Sequence, residues 1–313
     1  MKILVSGSLA YDRIMDFPGR FADHILPEKI HNLNVCFMVN GVQEKFGGTA
    51  GNIAYNLALL GEAPVILAAA GKDFSRYRQR LAHLGLSLEG IREVEEEFTA
   101  SAYITTDQAN NQITGFNPGA MRVSCGYRLN DLDPRGTLAI IAPGNLEDML
   151  TLSRRYKELG VPYIFDPGQS IPALSPLALA EMTSGAAMLI SNDYELEMIK
   201  KSTRLDLKAI LKRCPAVITT LGENGSVVHD AGSDTVITAA ANDGVVDPTG
   251  AGDAYRAGVL IGMCQRRDLA VCARMGSVCA SFAVSHQGTQ EHHFTAATFW
   301  QRYNLCYDPI AVG

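Results

Sequence analysis

The stretch Asp247-Pro248-Thr249-Gly250-Ala251-Gly252-Asp253-Ala254-Tyr255-Arg256-Ala257-Gly258 sets two glycines directly ahead of a carboxylate. Gly250 and Gly252 permit backbone conformations that a side chain forbids, and the small residues after Asp253 read as a helix. A Gly-rich turn at a helix N-terminus aims several N–H donors at one point and adds the helix dipole. An anion fits such a point, a phosphoryl group in transfer best of all. Asp253 falls in the first turn, where the dipole keeps a carboxylate ionised. An ionised carboxylate beside an anion hole takes the proton of an attacking hydroxyl. The expected chemistry is phosphoryl transfer, with Asp253 as general base and the backbone of Gly250, Ala251, Gly252 and Asp253 as the anion hole. Taken alone, the same residues also make an ordinary loop capped by an aspartate.

Other polar residues stand where ligands collect. Ser8 and Asp12 follow the end of the first apolar run, and ligands in open α/β sheets gather beyond the carboxyl ends of strands. Gly47-Gly48 lead into a helix carrying Asn52, whose amide offers one acceptor and two donors to a vicinal diol. With Asp12 it suits the 2′- and 3′-hydroxyls of a ribose. Gln169 and Ser170 follow the strand end at Asp166-Pro167 and are placed to read a base. Gly71-Lys72-Asp73 lacks the loop and hydroxyl of a P-loop. Gly7-Ser8-Leu9-Ala10 lacks the later glycines of a dinucleotide fingerprint. The histidines show no ligand spacing, and His292-His293 read as surface residues.

The elements that must hold these groups alternate between strand and helix. Strands are predicted over 2–6, 65–70, 137–142, 163–165, 188–191 and 216–219. Helices are predicted over 49–60, 74–84, 146–159, 194–201, 254–264 and 268–285, with Gly61 stopping the first. Residues 226–229 and 235–238 suggest a terminal antiparallel pair. Such alternation implies a mainly parallel sheet covered by helices on both faces. Two hairpins break the pattern. One is predicted over 35–39 and 42–46 around Asn40-Gly41, the other over 102–106 and 112–116. They read as a small separate sheet over the active site. The expected division is an α/β core of 1–11, 47–99 and 118–313, with a β-sheet lid of 12–46 and 100–117.

Asp247-x-Thr249-Gly250-Ala251-Gly252-Asp253 resembles the C-terminal signature of the ribokinase-like (phosphofructokinase-B) sugar and nucleoside kinases, and Gly47-Gly48-Thr49-Ala50-Gly51-Asn52 resembles the N-terminal one. The resemblance covers nearly the whole chain and implies a ribokinase-like α/β fold. Within that family the chain most resembles the bacterial adenosine kinase branch. The residues behind this are Gly7-Ser8-Leu9-Ala10-Tyr11-Asp12, Phe17-Pro18-Gly19-Arg20-Phe21, Leu26-Pro27-Glu28, Asn117-Pro118-Gly119-Ala120-Met121 and Gly288-Thr289-Gln290-Glu291. Several roles follow from the resemblance. Asp12, Gly48 and Asn52 would hold the acceptor sugar. Asn192-Asp193-Tyr194-Glu195 would organise Mg2+ and the ATP phosphates through water, with Asn192 and Glu195 as its polar ends. Thr220-Leu221-Gly222-Glu223-Asn224-Gly225 would contact ATP, with Thr220, Gly222 and Gly225 beside the nucleotide. K+ would sit near Asp247 and Thr249. The implied reaction is ATP plus adenosine giving ADP plus AMP, a sugar acceptor being the alternative within the family and a non-catalytic nucleoside-binding protein the alternative outside it. Ala102 stands where that branch places an aromatic residue over the base, leaving Phe37, Tyr103 and Phe116 as candidates. Cys36 stands where a hydroxyl is expected.

Bulk properties bound the reading. The 313 residues are 47% hydrophobic, ample for a large core. The net charge of −6 argues against a nucleic-acid partner. Seven cysteines without a Cys-x-x-Cys pair suit reduced thiols in a cytoplasm. The apolar run at Met1 is too short for a signal peptide, and no run of about twenty apolar residues is present to span a membrane. The exposed face of a lid sheet makes a homodimer the expected assembly.

Overall fold

Apolar runs closed by glycine or turn residues form most strands of one large sheet. The computed structural model describes residues 1–130, 132–230 and 232–308, with the side chain of Glu28 outside the described residues. In chain order the elements begin β1 (Lys2–Ser6), β2 (Ala10–Asp16), β3 (Val42–Gly47), α1 (Thr49–Leu59), β4 (Val65–Gly71), α2 (Ser75–His83), β5 (Ile91–Val94), β6 (Ala100–Thr106) and β7 (Gln112–Asn117). There follow β8 (Thr137–Ile141), α3 (Leu146–Leu159), β9 (Tyr163–Phe165), α4 (Pro176–Thr183), β10 (Met188–Asn192), α5 (Asp193–Thr203), α6 (Leu207–Leu211) and β11 (Ala216–Thr220). The chain ends with β12 (Ser226–Asp230), β13 (Asp234–Ile237), α7 (Ala251–Cys264), α8 (Leu269–Ala283) and α9 (Ala296–Cys306).

The large sheet has nine strands in the order β13-β12-β11-β10-β9-β8-β1-β4-β5. It is parallel from β5 to β11, and the pairs β11–β12 and β12–β13 are antiparallel. Consecutive strand residues point to opposite faces, so Ile3 and Val5 enter one core while Leu4 enters the other. The first core takes Ile53 of α1, Tyr77 of α2, Leu260 of α7, Cys279 of α8 and Phe299 of α9. The second takes Met149 of α3, Leu179 of α4, Ile199 of α5 and Ile210 of α6. No helix among the described residues is long and apolar enough to cross a membrane.

The small sheet runs β3-β2-β6-β7. The predicted hairpin of β6 and β7 is present, with Ala102 opposite Phe116. The other predicted hairpin is not. Val42–Gly47 is a strand, but its antiparallel partner is β2, and residues 35–39 form no strand. Asn40 instead anchors to Asp16 through both its backbone and its side chain. Phe37 is drawn into an aromatic cluster with Phe17, Phe21 and His24, with ring centroids 4.9–5.9 Å away. Asp12 therefore lies within a strand of the small sheet, paired with Lys45 and Ala102, and not in a turn after β1. The charges of β2 hid it: Asp12, Arg13 and Asp16 interrupt its apolar alternation. Besides β2, four elements are not assigned by the sequence pattern: β5, α4, α6 and α9 are short or locally signalled. Ser175 and Thr295 cap α4 and α9 through their side chains.

Candidate active site

The first side of the site is built by β1, β2, β3 and α1. Gly48 enters α1 at φ +88°, and a Cβ there would lie 2.6 Å from both Ala10 N and Ser8 O. Only glycine fits so close an approach with positive φ. Ser8 is buried, and its Oγ accepts from Thr49 N at 3.0 Å. The Thr49 hydroxyl in turn donates to Pro143 O. Ser8 thus secures the N-terminus of α1 to the sheet. The next turn of α1 carries Asn52, whose Nδ2 donates to Asp253 Oδ2 at 2.8 Å.

The orientation of that amide is set from behind. Gln290 Nε2 donates to Asn52 Oδ1 at 3.1 Å and to the Tyr77 hydroxyl at 2.7 Å, and Tyr77 donates to Gly47 O. With its oxygen occupied, Asn52 presents nitrogen to Asp253. His292, expected at the surface, is wholly buried beside this chain. Its Nε2 lies 2.8 Å from Asn56 Oδ1, and its ring meets Tyr55 edge-on. Burial drives its pKa down to about 4, so it is neutral at physiological pH. Residues 288–292 pack against α1, a placement the spacing of two adjacent histidines does not encode.

The second side is the turn before α7. Gly250 caps the helix at φ +81° and packs on Thr289. Asp247 closes the turn, its Oδ1 accepting from Thr249 N and its Oδ2 from Gly288 N, both at 2.9 Å. Burial opposes its charge, but these hydrogen bonds prevail and hold its pKa below the usual carboxylate value. Asp12 is raised by burial and by facing Asp247. Asp253 is pushed up to about 7, by burial first and then by the carboxylates of Asp166 and Asp12, against Asn52 and Arg256, which favour its charged form. A carboxyl poised there is matched to proton abstraction near neutral pH.

Two cavities meet at this turn. One, of about 900 Å³, lies between the small sheet and the core and is lined by Asp12, Ile14, Lys45, Ile104, Asp247 and Thr249. The other, of about 380 Å³, is largely apolar and is lined by Thr220, Gly222, Gly225, Ala251 and Gly252 on one side and Val245, Ala280 and Val284 on the other. The N-terminus of α7 is thus the partition between a polar cleft and an apolar slot.

Asp12, Gly48, Asn52 and the 250–253 turn converge, and Thr220, Gly222 and Gly225 reach the same turn from the other cavity. Asn192 and Glu195 form a reciprocal cap on α5: Asn192 Oδ1 accepts from Glu195 N, and Glu195 Oε2 accepts from Asn192 N. Gln169 is exposed and lines neither cavity. Of the aromatic candidates, Phe37 is packed in its own cluster, and Tyr103 turns to the opposite face, accepting from Arg13. Phe116 shares the face of Asp12 across Ala102 and is 53% exposed. Cys36 is exposed and lines neither cavity. The sequence does not show the contacts of Lys45 and Gln290 or the ion pair of Arg256 with Asp166. The two members of each contact lie far apart along the chain, so no local signal marks them. Among the described residues no group of three His, Cys, Asp or Glu side chains is arranged to hold a metal.

Residues 12–295 match the pfkB family carbohydrate kinase. A nucleoside kinase of Methanocaldococcus jannaschii is 34% identical over 267 residues, covering 84% of this chain and 87% of that protein. A nucleoside kinase of Methanothermobacter thermautotrophicus is 31% identical, covering 82% and 84%. Among solved structures, Burkholderia thailandensis nucleoside kinase in complex with inosine is similar at a TM-score of 0.85 and 36% identity, covering 97% of this chain and 98% of that one. The architecture is the ribokinase-like α/β fold with its separate small sheet.

Proposed function

Because the chain belongs to the pfkB family of carbohydrate kinases, we propose that it transfers the γ-phosphoryl group of ATP to the 5′-hydroxyl of a purine nucleoside. Adenosine is the acceptor put forward from the sequence, and inosine, present in the Burkholderia thailandensis structure, stands beside it. The observation that carries this reading is the Gly-rich turn ahead of Asp253, whose residues Asp247 and Thr249 line one cavity and Ala251 and Gly252 another of unlike character. The apolar slot suits an adenine ring with its phosphates directed at the turn. The polar cleft is large for a pentose alone and has room for a base.

In this mechanism Asp12 holds the ribose from the lid, with Gly48 letting it lie against the backbone. Asn52 steadies the carboxylate of Asp253, which takes the 5′-hydroxyl proton. Backbone N–H groups of Gly250, Ala251, Gly252 and Asp253 stabilise the charge on the moving phosphoryl group, a step that is mostly positioning and electrostatics. Mg2+ bound with ATP would supply charge neutralisation at the phosphates. The cap on α5 engages Oε2 of Glu195, which leaves Oε1, with Asn192, for the water shell of that ion. A monovalent cation would sit by the loop of Asp247 and Thr249. We further take the small sheet as the lid, the chain as a homodimer and its compartment as the cytoplasm.

The test is ADP release from MgATP with adenosine, inosine, guanosine, ribose and fructose, with K+ or with Na+. Turnover on purine nucleosides at about a hundredfold higher kcat/KM than on either sugar is expected. Turnover confined to a sugar would move the acceptor, and a silent enzyme would sink the reading. A rate that is the same in K+ and Na+ would remove the monovalent site.

A further inference from the structure

Arg256 is an unusual residue for its place. It sits in α7 among Ala254, Ala257 and Gly258, all buried, and is itself only 6% exposed. A buried guanidinium persists only with partners for its charge and its donors. Asp166, beyond the end of β9, supplies them in bidentate form: Nε to Oδ2 at 2.6 Å and Nη2 to Oδ1 at 2.9 Å. The remaining arm, Nη1, donates to Gly252 O at 3.1 Å. A Cβ on Gly252 would lie 2.9 Å from that Nη1, so the glycine and the arginine are matched. If the pair served stability alone, apolar residues of similar volume would do as well or better. An apolar pair could neither hold the Gly252 carbonyl nor place a cation one helical turn from Asp253.

We propose that Arg256, braced by Asp166, is a positioning residue for the catalytic turn, fixing the Gly252–Asp253 peptide whose N–H faces the anion hole and offsetting the charge of the carboxylates around Asp253. The peptide plane is rigid, so a carbonyl anchored on one side sets the direction of the N–H on the other. The groups acting on Asp253 are Asp12 from β2, Asn52 from α1, Asp166 from beyond β9, and Arg256 from its own helix. Glu195, on α5, acts on Arg256 in turn. Among those named, one guanidinium balances the carboxylates, so loss of either partner of the pair should move Asp253 in opposite directions. A pair screened from Asp253 predicts no such opposition.

This inference rests on the kinase reading for its catalytic meaning, and its test does not depend on turnover. In the ligand-free protein labelled with 13C at the aspartate carboxyls, the Asp253 resonance is identified by its loss in Asp253→Asn. It is then titrated between about pH 4 and pH 9, bracketing the range of shifted carboxyls. Asp166→Asn removes a neighbouring negative charge and should lower the midpoint. Arg256→Met removes the positive one and should raise it, and Arg256→Lys should lie near wild type. In turnover assays Arg256→Met should lower kcat by about tenfold or more with KM little changed, the mark of an interaction made in the transition state. Arg256→Lys should restore part of the loss. Midpoints that move together or stay fixed would overturn the proposal. If Arg256→Met fails to fold, Asp166→Asn decides alone, since its amide keeps the shape of the carboxyl: a lowered midpoint supports the proposal and an unchanged one refutes it.

Discussion

Asp253→Asn should make the protein more stable at neutral and alkaline pH while silencing it. The carboxyl of Asp253 titrates at about 7 because burial, with Asp166 and Asp12 behind it, disfavours the charge more than Asn52 and Arg256 favour it. In the unfolded chain an aspartate titrates near about 3.9. Between those values the folded state holds a proton that the unfolded chain has released, so stability is fully present below the lower value and declines as pH rises through the upper one. At about 1.36 kcal/mol per unit, the full difference is about 4 kcal/mol above pH 7. The residue is only partly buried, and solvent screening reduces the expected gain to about 1–2 kcal/mol. Asparagine has the same shape and still accepts from Asn52, so no hydrogen bond is lost to confuse the comparison. Urea or thermal unfolding of both proteins at about pH 8 and about pH 4 reads the effect. The variant should be the more stable at the higher pH, with the difference shrinking to under about 0.5 kcal/mol at the lower, where the folded carboxyl is neutral and the unfolded one about half ionised. A variant that is less stable at the higher pH refutes the argument, as does a gain that persists undiminished at the lower. Turnover in the same variant should fall by about three orders of magnitude or more, with ATP still bound, as expected for removal of a general base.

Three further outcomes are expected. The wild-type kcat/KM should fall with unit slope as pH drops below about 7, because Asp253 must be ionised to accept a proton; a profile flat down to about pH 5 would mean another group is the base. Gly48→Ala combines a φ of +88° with a Cβ 2.6 Å from two backbone atoms, so a loss of more than about 2 kcal/mol in unfolding free energy is expected, and near-native stability would show that the approach relaxes cheaply. Gln290→Leu removes the donor to Asn52 Oδ1 and to Tyr77; it should lower stability by about 1–2 kcal/mol and depress kcat, since Asn52 is then free to turn its oxygen toward Asp253, and an unchanged kcat would separate Gln290 from catalysis.

Features that arise within a few residues are legible in the amino-acid sequence. The Gly250–Asp253 turn, the entry of α1 after Gly48 and the reciprocal cap of Asn192 and Glu195 each depend on φ preferences and on donors close along the chain. The buried strands β1, β4, β8, β10 and β11 announce themselves as apolar runs because a parallel sheet covered on both faces requires them. The tertiary structure decided what lies across long loops. Whether Val42–Gly47 would pair with residues 35–39 or with β2 turned on Asn40 binding Asp16 and on Phe37 joining a distant aromatic cluster. The direction of the Asn52 amide depends on Gln290, and the charge balance at Asp253 on Asp166 meeting Arg256. The burial of His292 depends on the same folding of the chain over α1. A side chain carries its chemistry in the sequence. Its pKa and orientation belong to the neighbours that folding brings within about 4 Å, where Coulomb and hydrogen-bond energies become decisive.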